Sequence, residues 1–269
     1  MSRSSATTSD QGHIARKRFG QNFLHDPGVI SRIISAIDPK PGQRLVEIGP
    51  GQAAITGPLM ARAGRVHAIE IDRDLAARLR ERFPEEQLTL IEDDVLKVDF
   101  GALAKHLGGS LRIVGNLPYN ISSPILFHLL DFAECIDDQH VMLQKEVVDR
   151  MVAPCGSKIY GRLSVMLQAR YQMVRCLLVP PGAFQPAPKV DSAVVRMVPL
   201  PRAQFRVKDW VVFSALVTAA FSQRRKMLRN TLAVYGDRVN WEGLGIAPTD
   251  RAEDLRVDQF IDLANQLSD

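Results

Sequence analysis

The sequence predicts an α/β protein with a doubly wound, mainly parallel sheet followed by a small all-helical C-terminal domain. Short apolar strand patterns alternate with helical patterns over most of residues 29–179, which is typical of a parallel sheet covered on both faces. A glycine-rich turn directly follows the first strand pattern, and Pro199-Leu200-Pro201 ends the alternation. We therefore expect a first domain over 1–200 and a helical domain over 201–269.

Seven apolar stretches of strand type are the predicted strands, at 44–48, 66–70, 88–92, 111–114, 140–143, 172–179 and 193–198. The last two are expected to pair as a hairpin. Helical patterns predict helices at 29–37, 54–63, 73–82, 122–132, 144–152, 161–170, 210–220, 223–234 and 258–267. Asp26 and Pro27 suit the cap and first position of the first helix. The polar segment 1–11 is expected to be a disordered tail.

Composition restricts the class of protein. The chain has 269 residues, of which 46% are hydrophobic and 24% charged, as in an ordinary globular enzyme. Its net charge of +4 is too small to identify a partner, although its mainly arginine basic side chains suit phosphate contacts. Cys135, Cys155 and Cys176 form no C-x-x-C pair, so neither a zinc site nor a disulfide framework is indicated. We expect a soluble, cytoplasmic, monomeric protein with no metal, no membrane span and no signal peptide.

Polar residues and a glycine mark the ends of four predicted strands. These residues are Gly49, Glu70, Asp94 and Asn116. Ligands of doubly wound sheets bind beyond the carboxyl ends of the strands, so these positions predict one shared site.

The turn that begins at Gly49 has the pattern Gly-x-Gly-x-x-Ala, and Glu70 follows about 20 residues later. This spacing matches a glycine turn against a cofactor and an acid that binds ribose hydroxyls. By itself this spacing does not distinguish among a nicotinamide enzyme, a methyltransferase and a purely structural turn.

The turn Asn116-Leu117-Pro118-Tyr119 suggests a site for a ring-bound amine. The Asn116 side chain and the backbone carbonyl of Leu117 or Pro118 offer two acceptors for the hydrogens of an exocyclic amine. Tyr119 offers a ring face, and stacking is worth ~1–3 kcal/mol for a nucleobase. Pro118 restricts the backbone in advance. The alternative is an ordinary turn after a strand.

Two observations favour a methyltransferase over a nicotinamide enzyme. Holding both hydrogens of an amine favours a pyramidal nitrogen whose lone pair can attack a methyl donor, and the Asn116 turn has no role in hydride transfer. Asp94 can accept a hydrogen bond from an adenine amino group.

Two basic segments indicate contact with nucleic acid. Arg16, Lys17 and Arg18 lie beside aromatic residues, which suggests an RNA-binding arm or, alternatively, a solvated helix end. In the predicted helix over 223–234, Arg225 and Arg229 are four residues apart and share a face with Lys226 beside them. The alternative is a solvated face paired with acids of its own domain.

Several motifs are familiar in combination, namely Gln21-Asn22-Phe23-Leu24, Glu47-Ile48-Gly49-Pro50-Gly51, Glu70-Ile71-Asp72, Asp94, Asn116-Leu117-Pro118-Tyr119, the stretch 184–192, and Gln223-Arg224-Arg225-Lys226. Together they closely resemble the ribosomal RNA adenine N6-dimethyltransferase family, in its bacterial small-subunit branch, from about residue 13 onward. The resemblance implies a Rossmann-like methyltransferase sheet, S-adenosyl-L-methionine as cofactor, and a role in small-subunit biogenesis. The implied product is N6,N6-dimethyladenosine at two adjacent adenosines in a hairpin loop near the 3′ end of 16S rRNA.

The resemblance also implies roles for single residues. Asn22 and Leu24 would flank the methionine end of the cofactor, and Gly49 would lie against its backbone. Glu70 would bind the ribose hydroxyls and Asp94 the adenine amine. Asn116 would lie between cofactor and substrate. Phe184 would stack on the target base opposite Tyr119, unless it is a buried core residue. A large-subunit rRNA enzyme and a non-catalytic assembly factor remain alternatives.

Overall fold

The computed structural model describes residues 22–268 and confirms the predicted α/β architecture. The tail over 1–11 and the basic cluster Arg16, Lys17 and Arg18 lie outside these described residues. Within residues 22–268, no helix combines the length and the apolar character needed to cross a bilayer.

The strands of residues 22–268 are β1 (Phe23–Leu24), β2 (Leu45–Ile48), β3 (Val66–Ile69), β4 (Leu88–Ile91), β5 (Leu111–Asn116), β6 (Ile136–Gln144), β7 (Tyr171–Val179), β8 (Phe184–Gln185) and β9 (Ser192–Pro199). Seven of them form one sheet in the order β4-β3-β2-β5-β6-β9-β7. β9 runs antiparallel to both of its neighbours, β6 and β7, and all other pairs in this sheet are parallel. All seven predicted strands and the antiparallel pairing of the last two are confirmed. β1 and β8 form a separate antiparallel pair that the sequence did not predict.

The helices are α1 (Pro27–Ile37), α2 (Thr56–Ala63), α3 (Arg73–Arg82), α4 (Phe100–Leu107), α5 (Ser122–Asp131), α6 (Lys145–Met151), α7 (Arg162–Gln168), α8 (Trp210–Ala220), α9 (Leu228–Thr231) and α10 (Val257–Leu267). Asp26 caps α1 as predicted, because its Oδ1 accepts a hydrogen bond from the Val29 N–H at 2.8 Å. Helix α4 was not predicted. It begins at the Asp99 cap, but the glycine that follows Phe100 weakens its helical pattern.

The predicted helix over 223–234 is wrong for its first half. Residues 223–226 form turns and bends, and α9 extends only over Leu228–Thr231. Tertiary contacts explain the difference. The Leu228 N–H donates to the Asp250 carbonyl at 2.7 Å, and Met227 forms a β-bridge with Arg251. This pairing draws the segment out of a helix, so the argument that Arg225 and Arg229 share a helical face does not hold.

Two hydrophobic clusters cover the two faces of the sheet. One contains α1 and α2 residues, and the other contains residues of α4, α5 and α7. Phe213 of α8 and Phe260 of α10 belong to the second cluster and are fully buried. The C-terminal helices therefore share a core with the sheet, and the division into domains at residue 200 stays a prediction.

Strands β2 and β5 approach each other unusually closely at Gly115. This residue pairs with Ile48, and a Cβ built at Gly115 would lie 2.5 Å from the Ile48 carbonyl oxygen. Only glycine fits here without a shift of the backbone. The strand order reverses between β2 and β5, and such a switch point is where doubly wound sheets bind ligands.

A buried ion pair fixes α1 against the sheet. Arg112 of β5 binds both carboxylate oxygens of Asp138 of β6, with N···O distances of 2.8 and 2.9 Å. Its Nη2 also donates to the carbonyl of Ile37, at the end of α1, at 2.7 Å. Buried charges are tolerated only with such full hydrogen bonding. Because α1 follows the segment 22–24, this network helps to set where that segment meets the sheet.

Candidate active site

A cavity of about 300 Å³ lies at the carboxyl ends of β2 to β5. Its size is within the range of small-molecule sites. Most of the predicted site residues line it, namely Asn22, Leu24, Gly49, Glu70, Asp94, Asn116, Leu117, Pro118 and Tyr119. The structure thus brings together residues that are far apart in the sequence, although their individual roles stay predictions.

The glycine turn after β2 forms one wall of the cavity. Gly51 has a φ of +56°, a conformation that L-residues with side chains rarely adopt. A Cβ at this position would also lie 3.2 Å from the ring of Phe23. The turn therefore needs glycine for its backbone shape and for the close approach of the N-terminal segment.

Glu70 connects the glycine turn to the end of β3. Its Oε2 accepts the Gly51 N–H at 3.2 Å, and its Oε1 accepts the Asp72 N–H at 2.9 Å. The side chain is buried, and burial raises the pKa of Glu70, although the two backbone hydrogen bonds oppose this effect. Each carboxylate oxygen has a further lone pair for a ligand hydroxyl.

Glu47 is a second buried acid of the cavity wall, and the sequence analysis assigned it no role. It is 1% exposed, and its Oε2 has no hydrogen-bond partner among residues 22–268. Burial raises the pKa of Glu47 to about 8, and the nearby Glu70 carboxylate acts in the same direction. Its position inside an apolar strand, directly before the glycine turn, was the signal that could have identified it.

Asp94 lies beyond the end of β4, beside the apolar side chains of Val95 and Leu96. Its Oδ1 accepts the Leu96 N–H at 3.0 Å and caps a short 3-10 helix over Val95–Lys97. This hydrogen bond fixes the carboxylate at the cavity and leaves its second oxygen available to an amine.

The Asn116 side chain is oriented by the N-terminal segment. Its Nδ2 donates to the Asn22 carbonyl at 3.0 Å. The amide is therefore fixed with nitrogen toward Asn22, and its Oδ1 is the atom that can accept from a ligand.

The backbone of the turn favours Leu117 over Pro118 as the second acceptor. The Leu117 N–H donates to the Met142 carbonyl at 3.1 Å, and the Pro118 carbonyl accepts the Ile121 N–H at 3.2 Å. The Leu117 carbonyl accepts no hydrogen bond from the residues that the structure describes. The Leu117 side chain is 1% exposed, so only its backbone is available to a ligand.

Tyr119 is half-buried and held at both ends. Its carbonyl accepts a hydrogen bond from the Ser122 hydroxyl at 3.2 Å, and its own hydroxyl shares a hydrogen bond of 2.5 Å with the Ser192 hydroxyl. Burial raises the pKa of the Tyr119 phenol, against the effect of the Ser192 hydrogen bond. Ser192 was quoted within a motif, but its side chain was given no function.

The expectation that Phe184 presents a stacking face opposite Tyr119 is not met. Phe184 is 1% exposed and belongs to the hydrophobic cluster on the α1 side of the sheet. It pairs with Leu24 in the small β1–β8 sheet. The alternative of a buried core phenylalanine therefore describes this structure.

The C-terminal basic residues Arg225, Lys226 and Arg229 lie apart from the cavity and are exposed. Arg224, beside them, forms an ion pair with Glu253 at 3.0 Å. The other three form no ion pair with any residue in the range 22–268. Within the same range, no cluster of three or more His, Cys, Asp or Glu side chains could hold a metal ion.

The sheet order and the cavity at its switch point define a Rossmann-like methyltransferase. A family model described as ribosomal RNA adenine dimethylase matches residues 12–269. The chain belongs to this ribosomal RNA adenine dimethylase family, and it is therefore an enzyme that methylates adenine in ribosomal RNA.

Individual relatives agree with this assignment. The chain is 57% identical over 261 residues to ribosomal RNA small subunit methyltransferase A of Cupriavidus metallidurans, covering 94% of this chain and 93% of the relative. It is 58% identical to the protein of the same name from Burkholderia thailandensis, over 94% of each chain.

Two crystal structures share the fold. A dimethyladenosine transferase from Plasmodium falciparum has a TM-score of 0.78 and 26% identity, covering 91% of this chain and 97% of that one. The 23S rRNA methyltransferase ErmE has a TM-score of 0.68 and 25% identity, covering 92% and 100%.

We predict that Glu47→Gln stabilises the protein increasingly as pH rises. The folded state keeps Glu47 protonated up to a pKa of about 8, whereas the unfolded chain ionises it near 4.5. Folding must therefore take up a proton between these values, which lowers wild-type stability by up to ~1.4 kcal/mol per pH unit. The advantage of the Gln variant, measured by chemical denaturation, should grow from pH 4.5 to 8 and then level off.

Glu92→Gln is the matched control, because Glu92 is partly exposed and paired with Arg80 at 2.7 Å. Its stability difference from the wild type should not grow over this pH range. A Glu47→Gln difference that stays constant from pH 5 to 8 would show that the carboxyl group is ionised in the folded protein.

Proposed function

We propose that this enzyme transfers methyl groups from S-adenosyl-L-methionine to N6 of two adjacent adenosines near the 3′ end of 16S rRNA. The adenosines would lie in a hairpin loop of the small ribosomal subunit or its precursor, and the product would be N6,N6-dimethyladenosine. The observation that carries the proposal is the Asn116 turn, which offers Asn116 Oδ1 and the Leu117 carbonyl at the switch-point cavity.

The donors and acceptors of the cavity fit the cofactor. Glu70 has acceptor capacity for ribose hydroxyls, and Asp94 has a carboxylate oxygen for an adenine amine. Ile71, Val95 and Leu96 provide apolar surface between them for a purine ring. Asn22 and Leu24 would lie at the methionine end, and Gly49 along the cofactor backbone. When bound, the cofactor supplies an electrophilic methyl group.

The chain's own part in the reaction is to bind and orient the adenine. Asn116 Oδ1 and the Leu117 carbonyl would accept the two N6 hydrogens and direct the nitrogen lone pair toward the methyl group. The Tyr119 ring would stack on the base. Extrusion of the base from its stack costs a few kcal/mol, and less in a loop. No metal ion is needed for any of these contacts.

The small subunit is the favoured substrate because relatives at 57–58% identity are named for it, whereas the large-subunit rRNA methyltransferase ErmE is 25% identical. Residues 201–269 would form the domain that contacts RNA, through Arg225, Lys226 and Arg229. We infer that the enzyme acts as a monomer in the cytoplasm, where small subunits are assembled.

The proposal is tested directly by methyl transfer to unmethylated small subunits. We expect mass spectrometry of rRNA fragments to show N6,N6-dimethyladenosine with the wild-type protein, and Asn116→Ala to lower turnover about a hundredfold, the scale of a misplaced reacting group. Its unfolding temperature should change by only a few degrees.

Gln87→Ala is the matched control, because Gln87 is an exposed amide residue before β4 that does not line the cavity, and it should methylate at the wild-type rate. Wild-type turnover by Asn116→Ala would contradict the amine-holding role. Methylation of isolated large subunits alone would assign the enzyme to the other rRNA.

We predict that Glu70→Ala weakens binding of S-adenosyl-L-methionine by ~1.5–3 kcal/mol, the scale for hydrogen bonds to a charged group. Calorimetry on the folded variant measures this change. Glu92→Ala removes an acid at the next strand end but outside the cavity lining, so it should bind as the wild type does. Equal affinities of Glu70→Ala and wild type would exclude the role of Glu70, and tight NADH binding by the wild type would exclude the cofactor.

We predict that Arg225→Ala combined with Arg229→Ala weakens RNA binding and reduces its salt dependence. Each phosphate contact contributes about −0.9 on a duplex, or about −0.7 on single strands, to the slope of log affinity against log salt concentration. Loss of two contacts should therefore make this slope about one to two units less steep. The measurement is small-subunit binding across a salt series, with cofactor affinity expected to stay unchanged.

The matched control combines Arg62→Ala with Arg65→Ala, because both arginines are exposed, Arg62 on α2 and Arg65 just before β3, and neither lines the cavity. It changes net charge equally and should leave the salt slope as it is. Identical slopes for both double variants would show that the C-terminal arginines are only solvated.

A further inference from the structure

The Tyr119 side chain is anchored by a residue of β9, two strands away from β5 in the sheet. Ser192 is the first residue of β9 and is fully buried. It pairs with Gln144 of β6 and with Val179 of β7. The position of its hydroxyl is therefore fixed by three strands. This hydroxyl lies 2.5 Å from the Tyr119 hydroxyl.

The backbone of the turn does not depend on this hydrogen bond. Leu117 is held through the Met142 carbonyl, and the Tyr119 carbonyl is held by the Ser122 hydroxyl. Ser192 contacts the far end of the Tyr119 ring instead. Its removal would leave the amine acceptors in place and free only the ring.

We propose that Ser192 is a positioning residue that fixes the plane of the Tyr119 ring for stacking on the target adenine. The inference rests on the proposed function, because it takes Tyr119 as the stacking surface. A tyrosine ring turns about two side-chain torsions. A hydrogen bond at its hydroxyl fixes the first torsion, and it favours one ring plane because hydrogen bonds of a phenol oxygen lie near the plane of the ring. The ring face is therefore set before the base arrives, and less conformational freedom is lost on binding.

The double-mutant cycle of Ser192→Ala and Tyr119→Phe tests this coupling. Each variant removes one half of the same hydrogen bond and leaves the other hydroxyl buried without a partner. We expect each to lower turnover on unmethylated small subunits by about two- to tenfold, the factor that corresponds to one neutral hydrogen bond. The double variant should lose no more than either single variant, because the bond can be lost only once.

Two further readouts separate positioning from a general structural effect. An rRNA fragment with 2-aminopurine at the target position should show stronger fluorescence quenching with the wild type than with Ser192→Ala, since an ordered ring stacks on the base. Ser192→Thr keeps the hydroxyl and should restore quenching and turnover. Ser164→Ala is the matched control, because Ser164 is equally buried but donates to the Arg150 carbonyl. It should behave as the wild type does.

The outcomes distinguish this inference from the proposed function. Fully additive losses in the cycle would overturn the role of Ser192, and so would a Ser192→Ala variant with the same quenching and turnover as the wild type. The proposed function would still hold in that case if the wild-type protein methylates the rRNA. A wild-type protein that methylates no adenosine in rRNA would overturn both. If Ser192→Ala unfolds, Tyr119→Phe with Ser192→Thr carries the comparison, because both retain the packing of the strand.

Discussion

The close approach of β2 and β5 is the constraint on which the site depends. Gly115 lies so near Ile48 that a Cβ would meet the Ile48 carbonyl oxygen at 2.5 Å. The glycine turn after β2 and the Asn116 turn after β5 therefore emerge side by side, and a Cβ at Gly49 would lie 3.8 Å from the Asn116 carbonyl oxygen. For this reason one cavity contains both the glycine turn, which can bind a nucleotide, and the acceptors of the Asn116 turn, which can bind an amine. Methyl transfer requires that kind of proximity.

The N-terminal segment completes the site from a distant part of the sequence. Asn22 accepts the Asn116 amide N–H, and Phe23 lies over Gly51. The same short segment pairs with β8, so it links the two turns to the part of the chain between β7 and β9. Because the Asn116 side-chain amide makes no other hydrogen bond with residues 22–268, the orientation of its oxygen depends on this contact. The cofactor side and the base side of the cavity are therefore ordered together.

Periodicity in the sequence predicted all seven strands of the main sheet, because strands buried on both faces read as apolar runs. The strand-end residues Gly49, Glu70, Asp94 and Asn116 were found for the same reason, since a parallel sheet brings its carboxyl ends to one edge. The failures concern tertiary contacts that leave no local pattern. Residues 223–226 form turns and bends instead of a helix, Met227 forms a β-bridge with Arg251, and Phe184 enters the core. Ser192 contributes through a hydrogen bond between residues 73 positions apart.

Charge separates the two binding tasks of the enzyme. Acidic side chains, namely Glu70, Asp93 and Asp94, line the cavity wall, so a phosphate group is disfavoured there. Buried Glu47 adds no charge at neutral pH, because burial raises its pKa to about 8. Arg225 and Arg229, which are exposed and form no ion pair with residues 22–268, have the opposite preference, and Debye screening limits the field of these exposed charges to about 10 Å at 0.1 M salt. Shared packing of α8 and α10 with the sheet keeps these arginines at a fixed position relative to the cavity. The RNA can therefore be bound through its phosphates on one surface while a single neutral base enters the acidic cavity. Hydrogen bonds and stacking, rather than charge, select the base there.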